Sequence, residues 1–123
     1  MPATKRRSPI RAHLSAVAFA NEPLGLVAGG NGVILKTEDG GGRWQAVSSG
    51  TTADLQSVAF ADGKVAVAVG VSGTLIRSID GGETWKPTTS VTEAGLSSVA
   101  FADAERAVAV GTGGTVLLST DGG

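Results

Sequence analysis

At 123 residues the chain has room for one ordinary domain and not two, and 41% hydrophobic against 17% charged residues is the balance of a folded chain rather than a disordered one. Cysteine is absent, which removes disulfides, thiolate metal sites and cysteine nucleophiles together. The net charge of −1 is unevenly spread, with Lys5, Arg6, Arg7 and Arg11 in the first thirteen residues and an excess of acids beyond them, so a uniformly basic nucleic-acid-binding face is not supported.

Residues 1–13 read as a basic arm carrying Pro2 and Pro9. Followed by the apolar run Leu14–Ala20, the arm has the outline of a signal peptide. The run returns, however, as Leu55–Ala61 and Leu96–Ala102, which makes it the first copy of a structural strand. The expectation is a strand and not a leader, hence a cytoplasmic chain as the sequence stands, with no run long enough to span a membrane. A basic arm can meet nucleic acid or anionic lipid, but a loose leader is the plainer reading.

From Leu14 onward the sequence repeats every 41 residues without a gap. Leu14, Leu55 and Leu96 align, as do Val17, Val58 and Val99, Phe19, Phe60 and Phe101, Gly29, Gly70 and Gly111, and Asp39, Asp80 and Asp121. Internal repeats of this length mean propeller blades or solenoid units. The predicted units are residues 14–54, 55–95 and 96–123, the last without its outer strand.

Each unit reads as four short strands. In the middle copy these are Leu55–Ala61, Val65–Val69, Thr74–Ser78 and Thr84–Thr88, separated by turns at Asp62-Gly63, at Gly70 to Gly73 and at Asp80 to Gly82. Val65, Val67 and Val69 alternate with Ala66, Ala68 and Gly70, so the two faces differ in size rather than polarity and both must be buried. A sheet with one bulky and one small face packs on a copy of itself, and continued stacking gives an all-β propeller of Asp-box blades. A sandwich would leave one polar face per sheet.

The turn Ser78-Ile79-Asp80-Gly81-Gly82-Glu83-Thr84-Trp85 stands at the centre of the pattern. Its aspartate can accept amide hydrogen bonds across the loop, its glycines can take positive φ, and its tryptophan can lie over the result. Asp39, Gly41 and Trp44 occupy the same places upstream; Asp121 begins the turn again downstream. Ser78, Asp80, Gly82, Thr84 and Trp85 are therefore structural turn residues, and carboxylates recurring at blade spacing are read as turn ligands ahead of catalytic acids.

This turn matches the Asp-box, or bacterial neuraminidase repeat. The wider unit resembles the blades of the photosystem II stability and assembly factor family over residues 14–123. The resemblance implies a propeller, seven-bladed in photosynthetic members, that binds a protein partner during assembly of a membrane complex; members are often exported. Two departures stand out: Arg43 replaces the threonine before Trp44, and three blades are present, where closing a ring takes about four to eight.

Two arrangements follow: a partial propeller belonging to a longer one, or half of a six-bladed homodimer. In the second, residues 1–13 can donate the missing outer strand, because Ala3 falls in register with Trp44 and Trp85. The prolines and cations make it a poor strand.

The functional expectation is a non-catalytic scaffold for a protein partner, with no cofactor and no metal. Lys36 and Arg77, at equivalent places in the third strands, are the candidate partner-binding cations, set against a plain solvent-facing role. The alternative is a fragment of a glycan-binding or sialidase-like propeller. Those enzymes use a tyrosine nucleophile, and the chain has no tyrosine. His13, the only histidine, has no cysteine or acidic cluster to complete a metal site, and Gly29-Gly30-Asn31-Gly32 recurs as a hairpin turn rather than opening a helix.

Overall fold

The computed structural model describes residues 13–21, 23–88, 92–103 and 105–119. The proposed strand donor, apart from His13, and Asp121 lie outside these. The described chain is all-β: a first sheet of β1 (Leu14–Phe19), β2 (Gly25–Gly29), β3 (Ile34–Thr37) and β4 (Gln45–Val47), and a second of β5 (Leu55–Phe60), β6 (Ala66–Gly70), β7 (Leu75–Ser78) and β8 (Lys86–Pro87). The third sheet has three strands among the described residues, β9 (Leu96–Phe101), β10 (Ala107–Gly111) and β11 (Val116–Ser119). Every sheet is an antiparallel meander in chain order, the arrangement of a propeller blade.

Three short 3-10 turns, Gly30–Gly32, Val71–Gly73 and Thr112–Gly114, join the second and third strands of each blade. The preceding glycine column has a steric reason. At Gly70 a Cβ would stand 2.0 Å from the Asp54 carbonyl oxygen, and the same clash recurs at Gly29 and Gly111. That close approach lets the Val71 amide donate to the Asp54 carbonyl at 3.0 Å, tying each turn to the start of its own blade.

The fourth strand is shorter than the sequence pattern predicts. Thr84 and Trp85 are drawn into the turn instead, so regular pairing begins at Lys86, and Pro87 has no amide to donate. Beyond it, the Thr88 amide donates to the Leu75 carbonyl at 2.8 Å.

The size alternation also differs from the expected one bulky and one small face. The register opposes Val58 to Ala68, Ala59 to Val67 and Phe60 to Ala66, so each of these pairs between β5 and β6 joins a large side chain to a small one. Each face is mixed, and volume is evened out within it rather than between faces. Blades then stack through two cores. Leu26, Ala28 and Ile34 of the first blade meet Leu55, Val58, Ala66, Ala68 and Ile76 of the second. Val67, Val69 and Leu75 of the second blade meet Leu96, Val99, Ala109 and Leu117 of the third. The two seams use the same sequence columns, displaced by one repeat.

Candidate functional site

The turns between third and fourth strands and those between first and second strands lie at one end of the blades. In the second blade the Gly81 amide donates to the Lys64 carbonyl at 2.8 Å, and the Lys64 turn is itself built by Asp62, which accepts the amides of Lys64 and Val65 at 2.7 and 2.9 Å. In the first blade Gly40 reaches the Pro23 carbonyl at 3.0 Å in the same way. This end carries Asp39, Asp62 and Asp80, whereas Asp54 lies at the other end and accepts the Asn31 amide at 2.8 Å.

The Asp-box of the second blade is a closed set of bonds. The Ser78 hydroxyl donates to Asp80 Oδ1 at 2.8 Å and accepts the Gly82 amide at 2.9 Å. Asp80 accepts the Thr84 amide at 2.9 Å and, on its other oxygen, the Thr84 hydroxyl. Trp85 lies 7% exposed with its indole N–H donating to the Gly82 carbonyl at 2.9 Å. Gly82 holds φ +95°, and a Cβ there would come 2.7 Å from a Leu26 methyl of the neighbouring blade.

In the first blade Thr37 takes the place of Ser78, donating to Asp39 at 2.8 Å and accepting the Gly41 amide at 3.0 Å, while Asp39 accepts the Arg43 amide at 2.8 Å. Arg43 has no hydroxyl to match Thr84, so one bond of the set is lost. Trp44 stays half-buried, edge-on to Phe19 with ring centroids 6.5 Å apart.

These donors set the acidity of the carboxylates. The Thr84 hydroxyl, then the Thr84 amide, hold the Asp80 carboxyl down to about 2 against the opposing effect of desolvation. Asp39 is lowered by the Arg43 amide first and the Thr37 hydroxyl second. A carboxylate held ionised by its own turn is a poor general acid at neutral pH. Among the described residues no cluster of three His, Cys, Asp or Glu side chains could hold a metal ion.

Lys36 and Arg77 occupy equivalent places on neighbouring blades, and the structure gives Lys36 a specific setting. It is 8% exposed, and its ammonium lies 2.8 Å from Glu83 of the next blade and 3.3 Å from Glu38 of its own. Burial lowers its pKa, but the hydrogen bonds it donates to Glu83 and Glu38 outweigh that and raise it. The ammonium forms one wall of a shallow cleft between blades, with Pro23, Leu24, Lys64 and the exposed Ile79 on the others. Arg77 is half-buried one blade along, opposed to Val67 and Lys86 in register. His13 contributes through its backbone, its carbonyl accepting the Gly30 amide at 2.8 Å.

Glu83 and Glu38 were not singled out by the sequence pattern, because both fill variable positions of the Asp-box. The available signal was local only: Glu38 stands two residues from Lys36, whereas nothing in the sequence links Lys36 to Glu83, 47 residues on.

The sequence model of a family described as photosynthesis system II assembly factor YCF48 matches residues 46–120. No curated protein matches the chain. Among solved structures, one titled YCF48 bound to D1 peptide superposes with a TM-score of 0.82 at 21% identity, covering 99% of this chain and 44% of that one. YCF48 from Cyanidioschyzon merolae gives a TM-score of 0.82 at 22% identity, covering 95% of this chain and 39% of that one. The chain thus spans less than half the length of these structural relatives, and at such identities the likeness establishes the blade fold.

Proposed function

The chain belongs to the photosynthesis system II assembly factor YCF48 family, and on that ground we propose that it is a non-catalytic propeller scaffold that binds a segment of a protein partner during assembly of a photosynthetic membrane complex. The observation that carries the proposal is the bound D1 peptide in a solved YCF48 structure whose blades superpose on nearly all of this chain. The chemistry of the site agrees with it. Asp39 and Asp80 are committed to their turns.

Of the two candidate cations, Arg77 is assigned the contact with an acidic stretch of the partner, and Lys36 the role of holding the cleft between blades in shape through Glu83 and Glu38. The test is titration of a labelled D1 peptide with the chain by fluorescence anisotropy. Saturable binding, weakened about tenfold or more by Arg77→Ala with an unchanged circular dichroism spectrum, is the expected result; about tenfold corresponds to a loss of about 1.4 kcal/mol. No binding by the folded chain at any accessible concentration would overturn the reading.

A further inference from the structure

We propose that the outer edge of the first blade, the free side of β4, takes up an extended, uncharged segment of another protein as an added strand. This surface is distinct from the cleft around Lys36, and the inference does not rest on the role given to Arg77.

The register identifies the groups on offer. In an antiparallel pair, residues that exchange hydrogen bonds alternate with residues whose amide and carbonyl turn away from the partner strand. In the second blade the Thr88 amide donates to the Leu75 carbonyl, so Thr88 faces inward and Pro87 before it faces outward. One repeat earlier, Val47 stands opposite Ile34 and Ala46 opposite Leu35. Val47 therefore bonds to β3, and because each peptide unit is trans, the N–H and C=O of Ala46 and the N–H of Ser48 point away from the sheet. β4 is the last strand of its sheet, and both Ala46 and Ser48 are exposed. Outward backbone donors and acceptors on an edge are a template for one more backbone.

The second blade shows how the same edge is closed. Gln45-Ala46 in β4 become Lys86-Pro87 in β8, column for column. Pro87 removes the outward amide, and Lys86 sets a charge beside it; these are the two residue types that block edge pairing. β4 carries neither. Under the same packing demands, one blade shuts its edge and the other leaves it open.

The ground beside the open edge suits an extended, uncharged backbone. A shallow groove of about 670 Å³ is lined by Val33, Ile34, Ala46, Val47 and the linker 48–52, together with Asn31 and Gly32. None of these residues is charged, so an uncharged segment settles there without stranding an ion. The linker is fixed in advance. Ser49 is 4% exposed, and its hydroxyl donates to the Thr51 carbonyl at 3.1 Å and accepts the Thr51 amide at 3.3 Å. Gly32 lies so close that a Cβ on it would stand 2.0 Å from the same carbonyl. A groove with set walls spends little of its binding energy on ordering itself. Ile34 and Val47 also belong to the core between the first and second blades, so the groove sits on a seam whose two sides are both described.

The experiment is a titration of the isotope-labelled chain, by two-dimensional NMR, with a blocked peptide of alternating valine and threonine, uncharged and strongly extended. The expected result is saturable binding in which the Ala46 and Ser48 amide protons move downfield as they gain a hydrogen bond, while those of β8 stay in place. Ala46→Pro, which copies Pro87, should weaken binding about tenfold or more; Ala46→Ser, which keeps the amide, should bind as the wild type does. No saturable binding, shifts that bypass Ala46 and Ser48, or equal affinities for the two variants would overturn the proposal. Shifts at these amides that follow chain concentration before any peptide is added would identify a second copy as the occupant and overturn it too. Should the proline variant fail to fold, the wild-type shifts decide alone. The peptide offers no acid to Arg77, so this result and that of the D1 peptide titration stand or fall separately.

Discussion

The Lys36 ammonium and the Glu83 carboxylate, 2.8 Å apart, are the one described ion pair that joins two blades, and they do so from a lysine that is almost wholly buried. A buried cation tolerates loss of its partner poorly, but its own replacement by an apolar chain well. Glu83→Gln should therefore cost about 1–2 kcal/mol in urea unfolding, and Lys36→Met less than about 1 kcal/mol. Because the folded pKa of Lys36 lies above its ordinary 10.5, the pair's contribution is fully present below pH 10.5 and is lost as pH rises through the raised value. Wild-type and Glu83→Gln stabilities should converge in that alkaline range.

The acid limb belongs to the Asp-box. Asp80 titrates at about 2 when folded against an ordinary 3.8, so its stabilisation is present above pH 3.8 and is lost as pH falls toward 2. Asp80→Ala should destabilise by about 1–2 kcal/mol at neutral pH, a modest figure because the carboxylate is exposed and its bonds are screened. The variant's denaturant midpoint should change less than the wild type's between pH 4 and pH 2. A deficit that stays constant over that range would sink the assignment.

Gly82 and Gly41 separate backbone strain from contact between blades. Both have positive φ, +95° and +100°, but only Gly82 faces Leu26. Gly41→Ala should cost about 1–2 kcal/mol for the left-handed backbone alone. Gly82→Ala adds overpacking of about 1–3 kcal/mol against a leucine with no exposed surface to move into. Equal losses in thermal melts would show that the neighbouring blade yields freely.

The middle of each 3-10 turn is left-handed: Asn31 at φ 58°, Ser72 at φ 56° and Gly113 at φ 66°. Serine is the residue least suited to that backbone of the three. Ser72→Gly or Ser72→Asn should therefore stabilise the chain by about 0.5–1 kcal/mol, read as a higher midpoint in urea.

Much of the architecture was legible because the same demands recur at fixed spacing. A glycine that must admit a carbonyl at 2.0 Å, as at Gly70, marks its column in every copy. The all-β repeat of antiparallel sheets could be read for that reason. What escaped reading depends on pairing between strands. Val58 and Ala68 share a face only because of the register between β5 and β6, which includes an irregularity between Leu55 and Ser57. A one-residue shift exchanges faces, so alternation within single strands could not assign them. The setting of Lys36 escaped for a related reason, since its partner lies 47 residues away on another blade.

Among the described residues the second blade alone is packed on both sides, and every residue of Ala66–Gly70 is buried, whereas Ala107–Gly111 is buried only in part. In a linear stack whose cohesion is a sum of nearest-neighbour seams, the two outer sheets can peel away singly, but the central one opens only when both its neighbours are lost. In the monomeric chain, amide hydrogen exchange should accordingly be slowest along β6 and fastest in β1 and β11, a gradient running outward from the middle of the chain. Evenly slow exchange across all three sheets would instead be the mark of a ring in which no blade is terminal.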